Sequence, residues 1–388
     1  MRSLSLALCL FLTPAIAFAQ ATQPRKSPPE IAAINSAMQE FVDAGDIAGA
    51  VTLVGHQGKI VHLGAVGLAD IDSNRAMKKG NLFSIASMTK PIVSAAVMIL
   101  QDEGKLSFDD KVSKYIPAFA DVKLKNGEAP SREITIRDCV THTAGLAGAQ
   151  IFRGSLENAV NELAKRPLAF SPGEKWQYSP GLNVAGRIVE IVAQQPLEDF
   201  LKQRIFEPLS MNQTTFFPRA RQIRRMATLY EKNEAQTALR PTESFLGSYS
   251  KIEAPNPSGG LFSTARDMFR FYQMVLNDGK LRRQRIVSSA GVDKMTSPKT
   301  GDLKTGFTPG NCWGLGWCIV REPQGTTAML SRGTFGHGGA YGTQGWVDPE
   351  TETIYVLMIQ RKGLKNSDAS EIRKTFQQTA TDQLKLGE

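Results

Sequence analysis

The chain is poor in cysteine and in histidine, with four of each among 388 residues. One cysteine, Cys9, lies in an apolar N-terminal run, which leaves Cys139, Cys312 and Cys318. Three thiols cannot make a complete disulfide framework, and both a Cys312–Cys318 bridge and buried free thiols remain open. The histidines, His56, His62, His142 and His337, form no His-Glu-x-x-His pattern and have no paired cysteines beside them, so zinc chemistry has no support and no metal is expected. No Gly-x-Ser-x-Gly elbow occurs, which argues against a Ser-His-Asp site of the α/β-hydrolase kind. Acidic residues are outnumbered, 37 against 46 basic, for a net charge of +9. The basic residues are scattered, and their one tight group, Arg219, Arg221, Arg224 and Arg225, has no interleaved aromatics or nucleic-acid motif, so it reads as a solvated face. Repeats and low-complexity segments are absent.

What remains is an ordinary globular composition, 41% hydrophobic and 21% charged, in a chain long enough for one large domain or two intimately joined ones. Residues 1–19 read as a secretory signal: Arg2, the apolar Leu4–Leu12 segment, then Ala17-Phe18-Ala19 before Gln20. That apolar segment is too short to span a bilayer. The expectation is a periplasmic or secreted protein with no stable membrane anchor, released near Ala19, with residues 20–29 as a proline-containing leader.

Ile31, Ile34, Met38, Phe41 and Val42 fall at helical spacing. Ala48–Val54 and Lys59–Val66 are strand-like and flank His56-Gln57-Gly58, which predicts a β-hairpin. Helical periodicity then dominates: the run after Ser87, Ile136–Thr141, Leu156–Leu163, Leu182–Val192, Leu197–Ile205 and Thr264–Leu276. The last quarter returns to strand signals at Gly314–Val320, Gly345–Val347 and Thr353–Ile359, closed by a helix over Ala369–Leu384. The fold class this predicts is α+β, with one antiparallel sheet built from both ends of the chain and flanked by helices. Residues 30–85 and 255–388 form the sheet domain and 86–254 an inserted, mainly helical domain.

The chemistry points to Ser87-Met88-Thr89-Lys90. Residues three apart share a helix face, so the Ser87 hydroxyl and the Lys90 amine can meet. Serine needs a base, and a lysine of pKa ~10.4 serves only after desolvation and positive potential bring it to ~7–8. The apolar run Pro91–Leu100 and the helix N-terminus behind it supply both, and the same N-terminus offers N–H groups to an oxyanion. A second copy of the pattern, Ser248-Tyr249-Ser250-Lys251, has no apolar helix behind it and reads as a solvated loop.

A lysine-activated serine also needs a proton carrier and an oxyanion hole. Tyr178, in the turn-rich segment Ser171–Gly181, is a candidate carrier. The glycine-dense turn Gly336-His337-Gly338-Gly339-Ala340-Tyr341-Gly342 permits close backbone approach to a ligand. His56 and His62 read as strand-end residues, and His142 as a maker of structural hydrogen bonds.

On these segments the chain resembles the serine β-lactamase-like superfamily, nearest to class C β-lactamases and family VIII carboxylesterases. Phe83–Lys90 matches the first motif of that superfamily. Trp176-Gln177-Tyr178-Ser179, followed by Asn183-Val184-Ala185-Gly186, resembles the esterase form of the second, and His337-Gly338-Gly339 occupies the third. Ile134–Leu146, Ile205–Met211 and Gly259–Asp267 are also family-like, so the resemblance covers about residues 28–385.

The resemblance implies acylation of Ser87, with Lys90 and Tyr178 sharing the base role and Tyr178 returning a proton to the leaving group. It further implies an oxyanion hole from the Ser87 and Ala340 N–H groups, substrate contacts from His337, Gly338 and Gly339, and no metal or organic cofactor. Two departures matter: Pro180 stands two residues after the motif tyrosine, where β-lactamases of this type carry Asn, and His337 stands where they carry Lys. A literal Lys304-Thr305-Gly306 sits among turn residues and reads as coincidence. The expected activity is hydrolysis of small-molecule carboxylic esters. β-Lactam or D-amino-acid peptide and amide hydrolysis, and penicillin binding or sensing without turnover, are the alternatives.

Overall fold

The computed structural model describes residues 29–148, 154–306, 308–364, 366–385 and 387. The expected signal segment, and the leader up to residue 28, lie outside the described residues.

The fold is organised by an eight-stranded antiparallel sheet. Its strands are β1 (Gly49–His56), β2 (Lys59–Asp70), β3 (Arg75–Ala76), β4 (Asn311–Trp313), β5 (Cys318–Val320), β6 (Phe335–Gly338), β7 (Gln344–Asp348) and β8 (Thr353–Met358). Across the sheet they lie in the order β4-β5-β6-β7-β8-β1-β2-β3. Strand β1 pairs with β8 from Val51 opposite Met358 to His56 opposite Thr353, so the early hairpin completes a sheet whose other half comes from the last quarter of the chain. Both strands are covered on two faces, which is why they read as near-continuous apolar runs. The β1–β2 turn places Gln57 at φ +47° and Gly58 at φ +75°, and two successive left-handed residues match the twist of a tight hairpin.

Helices α1 (Ala32–Asp43), α5 (Ala265–Leu276) and α6 (Glu371–Lys385) frame the sheet, and α2 (Thr89–Asp102), α3 (Ile136–Thr141) and α4 (Gly181–Ala193) pack on one another beside it. On one face Ile34 and Met38 of α1 and Phe376 of α6 pack with Val54, Trp346 and Tyr355. On the other, Met268 and Phe271 of α5 pack with Leu53, Ile354 and Val356 in a core that continues into α2, α3 and α4. Helix α2 is buried from Thr89 through Leu100, the signature of a helix inside a core. Each of its large side chains contributes about 1.5–3 kcal/mol by burial, so the helix is a firm base for whatever its N-terminus carries.

Four expectations need correction. Gly314–Val320 is not one strand: β4 and β5 form a hairpin around Gly314–Trp317, with Gly316 at φ +78°. Trp313 lies opposite Cys318 and Cys312 opposite Ile319, so the two cysteines point to opposite faces of the sheet. Cys312 joins the α5-side core and Cys318 the α1-side core; both are free thiols, as is Cys139. The turn expected at His337 is strand β6, central in its half of the sheet. The helix expected over Leu197–Ile205 is α-helical to Leu201 and then a wider π-turn over Lys202–Phe206. His62 is not at a strand end: buried within β2, its Nδ1 accepts from Ile31 N at 2.9 Å and its Nε2 lies 2.9 Å from Thr52 Oγ1. Burial lowers its pKa to about 4.

Candidate active site

The approach to Ser87 is set by the backbone. Phe83–Ser84 pairs with Phe262–Ser263, and Ile85 N donates to Leu261 O at 3.0 Å. The chain then turns through Ala86 at φ +44°, a left-handed conformation uncommon for alanine and of the kind held in place by its surroundings at functional sites. Ser87 lies in the 3-10 turn Ala86–Met88, two residues ahead of the first residue of α2 rather than inside it. Side chains three apart nearly eclipse in a 3-10 turn, so the pair survives the change of geometry: Lys90 Nζ is 3.0 Å from Ser87 Oγ.

Lys90 is 2% exposed. Its Nζ donates to Ser258 O at 2.5 Å and stands 4.6 Å from the centroid of the Tyr178 ring. Burial pulls the amine down to a pKa of about 7, against the opposing negative charge of Asp368. Tyr178 donates to Ser87 Oγ at 2.7 Å, and burial pushes its phenol far above the usual tyrosine range. Near neutrality the amine is thus substantially unprotonated while the phenol keeps its proton.

Aromatic packing holds Tyr178 from behind. His142 ends α3 at φ +63°, with its ring 4.5 Å from that of Tyr178, 5.1 Å from Trp313 and 5.9 Å from Trp176. Its Nδ1 accepts from Ser179 N at 3.2 Å, which fixes the backbone beside the tyrosine. The His337 ring lies 6.1 Å from Tyr178 and 5.5 Å from Trp313, and its Nδ1 donates to Gly338 O at 2.6 Å. Burial, with Lys90 adding to it, holds His142 well below the ordinary histidine pKa and His337 at about 3. Both imidazoles are neutral at physiological pH.

The third segment meets the first through a missing side chain. A Cβ on Gly339 would stand 2.6 Å from Ile85 O and 3.3 Å from Ala86 Cβ, so only glycine lets the β6–β7 hairpin sit against the shoulder of Ser87. The hairpin closes through Gly339 N to Thr343 O and Gly342 N to Gly339 O, with the exposed Ala340 between them. Ser87 occupies the second position of its 3-10 turn, where a backbone N–H has no partner within the turn. Beneath the strand, Asp368 touches Gly338 and accepts from Gln344 Nε2 at 3.2 Å. Burial raises its pKa and neighbouring Arg373 opposes the rise.

A cavity of about 870 Å³ opens beside Ser87, with Lys90, Tyr178, Asn183 and Ser258 as polar wall and Phe245, Leu246, Ile252 and Ala254 as apolar wall. The structure therefore brings Ser87, Lys90 and Tyr178 together and places Gly339 and Ala340 at their edge. Of the expected site residues Lys90 and Tyr178 line this cavity directly, while Ser87, His337, Gly338, Gly339 and Ala340 are not among its lining residues; His337 is 2% exposed and packs behind Tyr178. Sequence reasoning missed Ser258, whose carbonyl holds Lys90, and Asn183, which accepts from Ser258 N at 2.8 Å. It also missed the contact of His142 with Tyr178. Asn183 opens the Asn183–Gly186 segment already singled out as family-like and Ser258 directly precedes Gly259–Asp267, which was the available signal. Lys304-Thr305-Gly306 lies in irregular backbone, with Gly306 against Trp176. Tyr249–Lys251, from the second serine-lysine pattern, is a short 3-10 turn with Ser250 and Lys251 exposed and Tyr249 half-buried against Phe262. Among the described residues no cluster of His, Cys, Asp and Glu could hold a metal ion, and no helix is long and apolar enough to cross a membrane.

A serine held between a buried amine and a phenol, on an antiparallel sheet flanked by helices, defines the class chemically as one suited to acyl transfer. Comparison with known proteins agrees. Residues 34–380 match the family model described as Beta-lactamase, and the chain belongs to that family. It is 33% identical over 356 residues to "Protein Rv1367c" of Mycobacterium tuberculosis, covering 84% of this chain and 88% of that relative. With esterase EstB of Burkholderia gladioli it shares 28% identity over 342 residues, 78% of this chain and 83% of EstB. The solved structure of EstCE1, "a hydrolase with promiscuous acyltransferase activity", superposes with a TM-score of 0.78 at 23% identity, covering 90% of this chain and 97% of that one. The chain is a serine hydrolase of the β-lactamase fold.

Proposed function

We propose that this hydrolase is an exported carboxylesterase that works through an acyl-enzyme on Ser87. The observation that carries the reading is Ser87 Oγ held 3.0 Å from the Lys90 amine and 2.7 Å from the Tyr178 hydroxyl. In the reactive state neutral Lys90 keeps one N–H on Ser258 O and offers its lone pair to the Ser87 O–H. Oγ adds to the ester carbonyl carbon while its proton passes to Nζ. The charge developing on the carbonyl oxygen is met by the Ser87 and Ala340 N–H groups, each of the kind worth about 10²–10³ in rate. Collapse breaks the bond to the leaving oxygen, which takes the Tyr178 proton, and the phenolate recovers a proton from the Lys90 ammonium. Water then attacks the acyl-Ser87 carbonyl, giving its proton to Lys90; the acid departs and Ser87 Oγ recovers its hydrogen.

In this reading Gly339 acts by letting Ala340 approach, while His337 supports Tyr178 from behind and Gly338 leaves room for Asp368. A neutral His337 in the third segment and Pro180 after Tyr178 offer neither a fixed cation nor an amide to a lactam substrate, which favours neutral esters. The similarity to EstB points the same way.

The test is turnover and intact mass of the mature protein with a short-chain nitrophenyl ester, nitrocefin and a D-alanyl peptide, for wild type and Ser87→Ala. Ester hydrolysis abolished by Ser87→Ala is expected. Ester turnover surviving that substitution would sink the mechanism. Efficient nitrocefin turnover without ester hydrolysis would make the protein a β-lactamase, and a stable adduct without turnover a penicillin-binding protein. Export rests on the signal-like residues 1–19 and is checked by N-terminal sequencing of the chain after cell fractionation: a cytoplasmic chain retaining those residues overturns it.

A further inference from the structure

Phe245 is one of two large apolar side chains left exposed among the described residues, at 55% relative accessibility, and it is exposed at the wall of the Ser87 cavity. A single exposed apolar residue needs no explanation in general. Here its contacts supply one. The ring stacks on Tyr341 with centroids 5.5 Å apart and planes at 29°. The Tyr341 hydroxyl accepts from Phe245 N at 3.0 Å and lies 2.9 Å from Ser244 Oγ. Tyr341 directly follows Ala340, so this segment is tied to the hairpin that borders the nucleophile. On its other side the ring approaches Gly259, where a Cβ would stand 3.3 Å from Phe245 Cζ, and Gly259 in turn lies against the Ala86 backbone. Further along, Tyr249 rests edge-on against Phe262 at 4.9 Å, fixing the far end of the same segment.

The result is an aromatic shelf spanning the two segments that flank Ser87, continued as apolar wall by Leu246, Ile252 and Ala254. Tyr178, packed among His142, Trp313 and His337, takes the leaving-group side in the esterase reading. The Phe245 wall lines the same cavity from a different segment, tied through Tyr341 to the residue next to Ala340, and in that reading it is the wall assigned to the acyl side. We propose that Phe245 is a specificity-determining residue that receives the acyl chain, selecting esters of medium-length alkyl or aryl acids over acetyl esters. The inference rests on the esterase reading.

The experiment compares kcat/KM for p-nitrophenyl acetate, butyrate and octanoate in wild type, Phe245→Ala and Phe245→Leu, alongside ethyl and octyl acetate as an alcohol series. In Phe245→Ala the octanoate-to-acetate ratio falls about tenfold, mostly through KM, because apolar contact with the chain is lost. Phe245→Leu keeps most of that ratio, and thermal unfolding of each variant separates a selective loss from misfolding. An acyl ratio within about twofold of wild type in both variants, or a loss falling equally on the alcohol series, overturns the inference. Ester turnover in wild type with an unchanged acyl ratio in the variants defeats this inference alone; wild type with no ester turnover defeats the esterase reading and this inference with it.

Discussion

Replacing Lys90 by Met probes the electrostatics of the site through stability as well as rate. Burial lowers the amine from 10.5 to about 7, and each unit is about 1.4 kcal/mol, so holding the cation inside the fold costs about 5 kcal/mol when it is fully protonated. The sign follows from proton counting. Between pH 7 and 10.5 the unfolded lysine binds a proton that the folded one has released, so this group makes the wild type more stable as pH rises through that window. Below pH 7 both states are protonated and the whole penalty is present. Methionine carries no such penalty, so its advantage is about 4 kcal/mol at pH 7 and under about 1 kcal/mol at pH 10. Loss of the hydrogen bonds to Ser258 O and Ser87 Oγ subtracts about 1–3 kcal/mol at every pH, which leaves the pH slope as the clean signal. Urea unfolding of both proteins at pH 7, 8, 9 and 10 measures it: the gap narrows by about 3 kcal/mol across the range. A gap that stays constant, or one that widens with pH, would refute the assignment of a desolvated, low-pKa lysine. The same group predicts an acid limb near pH 7 in the wild-type kcat/KM profile for an ester, with the variant inactive throughout.

Tyr178→Phe keeps the ring packed on His142 and removes only the hydroxyl, so kcat falls about 10²–10⁴-fold with little change in unfolding midpoint; a loss below about tenfold would remove Tyr178 from proton transfer. Gly339→Ala drives a methyl into Ile85 O and Thr343 Oγ1, so stability drops by about 1–3 kcal/mol and ester turnover falls with it, as denaturation and steady-state assays would show; wild-type values for both would contradict the close approach. Because Cys312 and Cys318 face opposite sides of the sheet, a reductant leaves the melting temperature unchanged and all thiols titrate after denaturation; a reductant-sensitive midpoint would contradict the register.

Much of the fold is legible because its signals are local. The β1–β2 hairpin is marked by Gln57-Gly58, and the helices announce themselves by periodicity, bounded to within about two residues of their expected limits except for the one expected over Leu197–Ile205, whose α-helix stops at Leu201. The failures have local causes as well. Phe335–Gly338 lacks the β-branched residues that mark strands, and its glycines serve close packing, so it reads as a turn. Gly314–Val320 reads as one strand because its Leu and Trp are apolar, yet Gly316 at φ +78° reverses the chain. His62 shows no sign in the sequence that its ring ties Ile31 to Thr52, since neither partner is near it along the chain.

The site divides in the same way. Ser87 and Lys90 are three residues apart, and any helical turn brings them together, so their pairing follows from sequence whether the turn is α or 3-10. An apolar run after Lys90 likewise announces that the amine will be desolvated. Tyr178, 91 residues from Ser87, reaches its oxygen because α3 and His142 carry the second segment to the nucleophile. Ser258 meets Lys90 across 168 residues, and Phe245 meets Tyr341 across 96. Such contacts depend on how sheet and helices pack, which no short window of residues encodes. Cysteine parity across a hairpin, the burial that neutralises His142 and His337, and the shape of the acyl wall are decided there too, because each is set by distant neighbours rather than by spacing along the chain.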